Sequence, residues 1–156
     1  MQISKRVMAA ISAAALSIAS AMIVDLEGVE YTPYYDVAGV LTVCYGHTGS
    51  DIIKGKVYSP DECQVLLDTD LARIASEINP QIKTVLPVTM HAALYSFAYN
   101  VGSGAFNSST LLKKLNANDY AGACSQLKRW VYAAGKPWKG LMNRRDIEEA
   151  VCRYAH

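Results

Sequence analysis

The stretch "LEGVEYTPYYDVAGVLTVCYGHT", Leu26 to Thr48, decides how the chain is read, because it sets Glu27, Asp36 and Thr42 in one short segment. From Tyr34 to His47 the residues are aromatic and β-branched, with Ala38-Gly39 as a turn signal, a pattern that predicts a hairpin. Asp36 and Thr42 are equidistant from Gly39, so a turn centred there sets them across from one another. Gly28 can stop an incoming helix at Glu27, since glycine tolerates the left-handed C-terminal conformation. Glu27 would then face the same space as the hairpin acids.

Two carboxylates in different surroundings are what glycosidic hydrolysis needs. One keeps its proton near neutral pH and gives it to the leaving oxygen, helped by burial or a neighbouring negative charge. The other stays ionised and polarises a water or attacks the sugar. A hydroxyl beside it can orient that water. Spacing alone does not separate this reading from acids on a solvated surface.

Immediately upstream, Lys5 and Arg6 precede 18 uncharged residues, Val7 to Val24, and Asp25 closes the run. As helix it reaches roughly 27 Å, just short of a hydrocarbon core. Seven alanines and three serines dilute its aliphatic residues, so it is a marginal span. Basic residues before it and acidic ones after it predict a cytoplasmic N-terminus with the remainder exported. A signal peptide cleaved at "ASA", Ala19–Ala21, and an ordinary core helix are the competing readings. A span weak enough to leave the bilayer could become a core helix afterwards.

Downstream, "SPDE" at Ser59–Glu62 is a helix start, and Leu66, Leu67, Leu71, Ile74 and Ile78 supply its apolar stripe up to Asn79-Pro80. Pro87 opens another helix with Met90, Ala93, Leu94, Phe97 and Val101 at helical spacing, closed by Gly102. A short capped helix follows over Asn107–Asn116, and two more around Tyr120–Tyr132 and Asn143–Tyr154. The fold class is α+β, a small hairpin lobe and a larger helical lobe. At 156 residues the chain suits one core, and a net charge of +1 argues against nucleic acid as a partner. The histidines at 47, 91 and 156 lie far apart, so neither metal nor cofactor is expected.

The Glu27, Asp36 and Thr42 constellation, set in "LEG" and "GHT", closely resembles the phage-type lysozymes of glycoside hydrolase family 24. The likeness continues in "DECQVLLDTDL" (Asp61–Leu71), "ALYSFAYNVGSGAF" (Ala93–Phe106), "STLLKKLN" (Ser109–Asn116) and "GLMNRR" (Gly140–Arg145). It implies a lysozyme-like fold and a muramidase that cuts the β-1,4 bond between N-acetylmuramic acid and N-acetylglucosamine. By that resemblance Glu27 is the general acid, Asp36 positions or activates the water, and Thr42 assists. The family is generally regarded as inverting. His47 and Asp70 would pair structurally, Tyr99 and Asn100 would line the cleft, and Arg144, or Arg145 beside it, would point at Glu27.

The leader adds a likeness to the signal-anchor-release endolysins of lambdoid phages. It implies an anchor segment, 1–25, ahead of a muramidase domain, 26–156. Expected partners are peptidoglycan strands, the host inner membrane transiently through residues 7–24, and the export machinery, with the chain a monomer. While the run spans the membrane, Glu27 sits at the headgroup surface, away from Asp36 and Thr42. Export permits disulfides, and four cysteines allow three pairings. Cys44–Cys63 with Cys124–Cys152 is preferred because each bridge would staple neighbouring elements in one lobe, against four reduced thiols as the alternative. Residues 1–25 hold no cysteine, so release cannot rearrange a disulfide from within the anchor. A tethered non-catalytic peptidoglycan-binding module and a secreted autolysin with a cleaved leader are the alternatives in function.

Overall fold

The computed structural model describes residues 2–154; Met1, Ala155 and His156 lie outside them. The apolar leader is one helix, α1 (Lys5–Leu26). Ser4 caps its start by accepting from the Val7 amide at 3.3 Å. At its end the Glu27 amide donates to the Ile23 carbonyl while Glu27 itself turns extended, with φ −95°. Gly28 does not adopt the left-handed conformation expected of it; the break falls one residue earlier, where the chain turns into the hairpin.

Only the C-terminal half of α1 is docked. Ala15, Ala19 and Ile23 are fully buried at spacings of four, with Met22 beside them, while most of the first two turns and Val24 face outward. The helix packs chiefly on α3 (Val88–Val101) and more lightly on α2 (Pro60–Ile78). Ala15, Ala19 and Ile23 join one buried cluster with Leu94, Tyr95 and Ala98 of α3.

The hairpin is part of a three-stranded antiparallel sheet in the order β1 (Glu30–Tyr35), β2 (Leu41–Cys44), β3 (His47–Thr48). With Ile52, Tyr58 and Cys63, the buried Val43 and Cys44 make a small second core under it. Cys44 is bonded to Cys63, which ties β2 to the first turn of α2. That turn carries a full capping box: the Glu62 amide donates to Ser59 Oγ and the Ser59 amide to Glu62 Oε1, both at 3.1 Å.

α3 is the centre of the large core. Rather than a single apolar stripe, every residue from Ala92 to Ala98 is buried, so the helix is covered on all sides. Around it stand α1, α2, α4 (Ser103–Asn107), α5 (Thr110–Asn116), α6 (Tyr120–Gln126) and α7 (Lys139–Arg153). Cys124–Cys152 joins α6 to α7. The helix expected over Tyr120–Tyr132 stops at Gln126, continues as a 3₁₀ turn (Leu127–Arg129), and gives way to a two-stranded hairpin, β4 (Tyr132–Ala133) and β5 (Lys136–Pro137). Ala134 and Gly135 take positive φ in its turn, which the helical reading did not allow for. α7 starts at Lys139, ahead of the expected Asn143.

Candidate active site

The β1–β2 turn is centred on Ala38, one residue before the expected centre. The Asp36 amide donates to the Val40 carbonyl at 3.0 Å, and Gly39 closes the loop at φ +76°. Thr42 therefore faces Tyr34 across the ladder, not Asp36. Asp36 lies two residues beyond Tyr34, a diagonal step from Thr42. Asp36 fixes the turn itself, its Oδ1 accepting from the Ala38 and Val40 amides at 2.8 and 2.9 Å. Its Oδ2 takes no part in these bonds. Thr42 is 4% exposed and donates its hydroxyl hydrogen to the Val40 carbonyl at 2.9 Å, so toward a water its oxygen acts as acceptor.

Tyr34 lies among the acids. Burial first, then the carboxylates of Glu30, Asp36 and Glu27, raise its phenol above the ordinary range. Glu27 and Asp36 thus act on one and the same hydroxyl. The Tyr99 hydroxyl donates to the Tyr45 carbonyl at 2.7 Å. Burial, then the charges of Asp70 and Glu27, push its phenol well above the usual range. With its hydrogen committed to Tyr45, Tyr99 holds the sheet against α3.

Glu27 meets α7 directly. Arg144 Nη1 donates to Glu27 Oε1 at 2.5 Å, and the Glu27 side chain keeps 29% exposure. Arg144 is itself buried, with Nε on Glu148 Oε1 at 3.0 Å and Nη2 on the Ser96 carbonyl at 3.0 Å. Of the two adjacent arginines, Arg144 takes Glu27. Arg145 turns to Glu148, to the Trp130 carbonyl and to Asn100 Oδ1. Asn100 is accordingly held by Arg145 at the exposed end of α3.

His47 bridges two carboxylates, Nδ1 with Asp70 Oδ2 at 2.8 Å and Nε2 with Asp51 Oδ1 at 2.9 Å. Burial lowers its pKa, but the hydrogen bonds to Asp51 and Asp70 outweigh that and leave it raised. The sequence reading had no place for Asp51. A Cβ at Gly49 would meet Asp51 Oδ1 at 2.5 Å, so glycine there lets the carboxylate close on the ring. Glu148 was also missed. Its signal was present, an acid three and four residues after paired arginines on one helix, but such spacing is common on solvated faces. Among the described residues no group of three or more His, Cys, Asp or Glu is placed to hold a metal ion.

The family model for phage lysozyme matches residues 24–148. The chain is 59% identical over 152 residues to a SAR-endolysin of Bacteriophage PS119, covering 94% of this chain and 91% of that one. It is 58% identical to the SAR-endolysin of Bacteriophage PS34 over 152 residues, with the same coverage of 94% and 91%. Among solved structures, the muramidase domain of SpmX from Asticaccaulis excentricus superposes with TM-score 0.80 at 25% identity, over 86% of this chain and 94% of that one.

Proposed function

The chain belongs to the phage lysozyme family, and from that premise we propose that it is an endolysin cutting the β-1,4 bond between N-acetylmuramic acid and N-acetylglucosamine through Glu27, Asp36 and Thr42. As a lysozyme-type glycosidase it acts on peptidoglycan to lyse the host cell. The observations that support the assignment are the family match over residues 24–148 and the seating of Glu27 at the end of α1 on Arg144, with one oxygen of Asp36 left over by the hairpin turn.

Glu27 presents two oxygens. Oε1 is held by Arg144, and Oε2 is left to carry the proton that goes to the departing sugar oxygen. Asp36 Oδ1 is occupied by its turn, so Oδ2 is the atom that accepts a proton from the attacking water. Thr42 accepts a hydrogen bond from that water's other O–H, which stays on the attacking oxygen. A water between the two carboxyl groups gives inversion at the anomeric carbon and requires a separation of about 6.5–9.5 Å. Tyr99 and Asn100 border this space, with Asn100 set by Arg145.

Control comes from α1. The uncharged run of α1, residues 7–24, reaches about 27 Å as helix, close to the thickness of a hydrocarbon core. The residues that a bilayer would enclose include Ala15, Ala19 and Ile23, which the folded core also encloses. One helix cannot satisfy both at once. In the tethered chain Glu27, fixed to the end of α1 by the hydrogen bond its amide donates to the Ile23 carbonyl, stays at the headgroups and away from Arg144. Leaving the bilayer lets the helix dock and completes the site. Lys5 and Arg6 before the span orient the N-terminus toward the cytoplasm. Cleavage after Ala21 would remove Ala15 and Ala19 from the core, so the leader stays on the active enzyme.

Purified soluble protein should clear suspensions of Gram-negative cells with a permeabilised outer membrane, and Glu27→Gln should not. Product analysis by NMR should find the α-anomer first. A Glu27→Gln protein that still clears cells, or a first product with retained β configuration, overturns the assignment.

A further inference from the structure

The buried face of α7 carries a carboxylate that the chemistry above does not use. Glu148 is 0% exposed and accepts three bonds: Ser96 Oγ at 2.8 Å and Arg144 Nε at 3.0 Å on Oε1, and Arg145 Nη1 at 2.7 Å on Oε2. Arg145, 1% exposed, lies with its guanidinium 5.0 Å above the Phe97 ring and is fixed by the Trp130 carbonyl at 2.9 Å. Arginine stays charged at any pH of interest. The cluster therefore holds two permanent positive charges against two carboxylates, Glu148 and Glu27, and of these only Glu27 reaches solvent.

That arrangement has a consequence for a proton donor. When Glu27 takes up its proton, one positive charge in the cluster loses its partner. Were Glu148 also missing, two buried guanidinium groups would face Glu27 alone, and its proton would leave at lower pH. We propose that Glu148 is a positioning residue for the reaction: it holds Arg144 against Glu27 and cancels one of the two buried arginine charges that would otherwise draw the proton off the acid. This inference rests on Glu27 being the acid.

The other groups around Glu27 do not substitute for it. Tyr34 of β1 and Tyr99 of α3 both have raised phenols and stay neutral across the working range. Asp25, Glu30 and Asp36 are present in every variant below. Asp70, which acts on Tyr99, is paired with His47. Arg145 feels burial first, opposed by the charge of Glu148 and, more weakly, by that of Glu27, so the cluster is electrostatically one unit.

The test is the pH profile of kcat/KM on purified peptidoglycan for four proteins: wild type, Glu148→Gln, Arg145→Gln and the double variant. Glu148→Gln should move the alkaline limb down by about one pH unit, the size expected of an uncancelled charge beyond Arg144 at an effective dielectric of about 20. Arg145→Gln should move it up, and the double variant should return it toward wild type. A purely structural role would lower the melting temperature and scale activity equally at every pH. Limbs that stay put in folded variants, or that move the same way in both single variants, overturn the proposal. If Glu148→Gln does not fold, the upward shift of Arg145→Gln and its reversal in the double variant still decide it. Glu27→Gln separates the two readings: an active Glu27→Gln enzyme sinks the acid assignment itself, whereas an inactive one beside unmoved limbs sinks only the role given to Glu148.

Discussion

The two faces of α1 should respond oppositely to the same substitution. Ala13, Ala14 and Ser17 face solvent in the docked helix, whereas Ala15 and Ala19 are fully buried against the body. Leucine at the three exposed positions adds no volume to the core but makes the span more apolar. On insertion scales each leucine at the centre of a span contributes about 0.3–0.6 kcal/mol, so the three together favour the bilayer by about 1–2 kcal/mol. That shifts the release equilibrium by roughly tenfold. Leucine at Ala19 strengthens the span by only one such increment, but it forces three extra carbons into a contact that has no spare room. Overpacking of this kind costs about 1–3 kcal/mol. For a protein of this length it lowers the melting temperature by roughly 2–4 °C per kcal/mol. Induced cells should be fractionated while culture turbidity is followed, and the released proteins melted after purification. The triple variant should stay in the membrane fraction and delay lysis, yet match wild type in melting temperature and specific activity once solubilised. Ala19→Leu should be released but melt lower. A triple variant that lyses on wild-type schedule while still membrane-bound refutes the exclusion between bilayer and core, and so does an Ala19→Leu enzyme of unchanged stability.

Other outcomes follow from buried polar groups. His91 donates to Asn79 Oδ1 at 2.8 Å, stacks on Tyr95, and is pulled by burial to a pKa of about 4. With the folded value below the ordinary 6.5, its contribution is complete above pH 6.5 and lost as pH falls toward 4. Denaturant titrations at pH 7 and 4.5 should therefore find wild type losing about 2 kcal/mol more than His91→Gln; equal losses would be a miss. His47 is the reverse case, with a raised value, so its stabilisation is present below the unfolded pKa and fades as pH rises through the folded one. His47→Asn should destabilise more at pH 5.5 than at pH 9 in thermal melts. Replacing Cys44 and Cys63 by serine should cost up to about 3 kcal/mol in the small lobe, read as earlier hydrogen exchange in β2 with the large core unaffected. Tyr99→Phe leaves the Tyr45 carbonyl without its donor and should cost about 1–3 kcal/mol, measured by urea midpoint.

Local signals in the sequence carried much of this molecule. The Ser59–Glu62 capping box, the hairpin after Tyr34, the stop at Gly102 and the uncharged leader are set by residues within a few positions of one another, where backbone chemistry leaves few choices. The order of Glu27, Asp36 and Thr42, with the family likeness around them, was enough to point to a glycosidase. Other features needed the packed chain. The turn closed around Ala38, so Thr42 met Tyr34, because hairpin register follows the hydrogen bonds of the loop and not the midpoint of the sequence. Two adjacent arginines look alike along the chain, yet neighbours on a helix point about 100° apart, and that alone sends Arg144 to Glu27 and Arg145 to Trp130 and Asn100. Asp51 and Glu148 have partners three or four residues away, but their roles emerge only once Asp70 and Ser96 close on the same groups from other elements. The same holds for α1: its composition fits lipid and protein almost equally, and only the alanine-lined contact with α3 determines which half is buried and where Glu27 comes to rest.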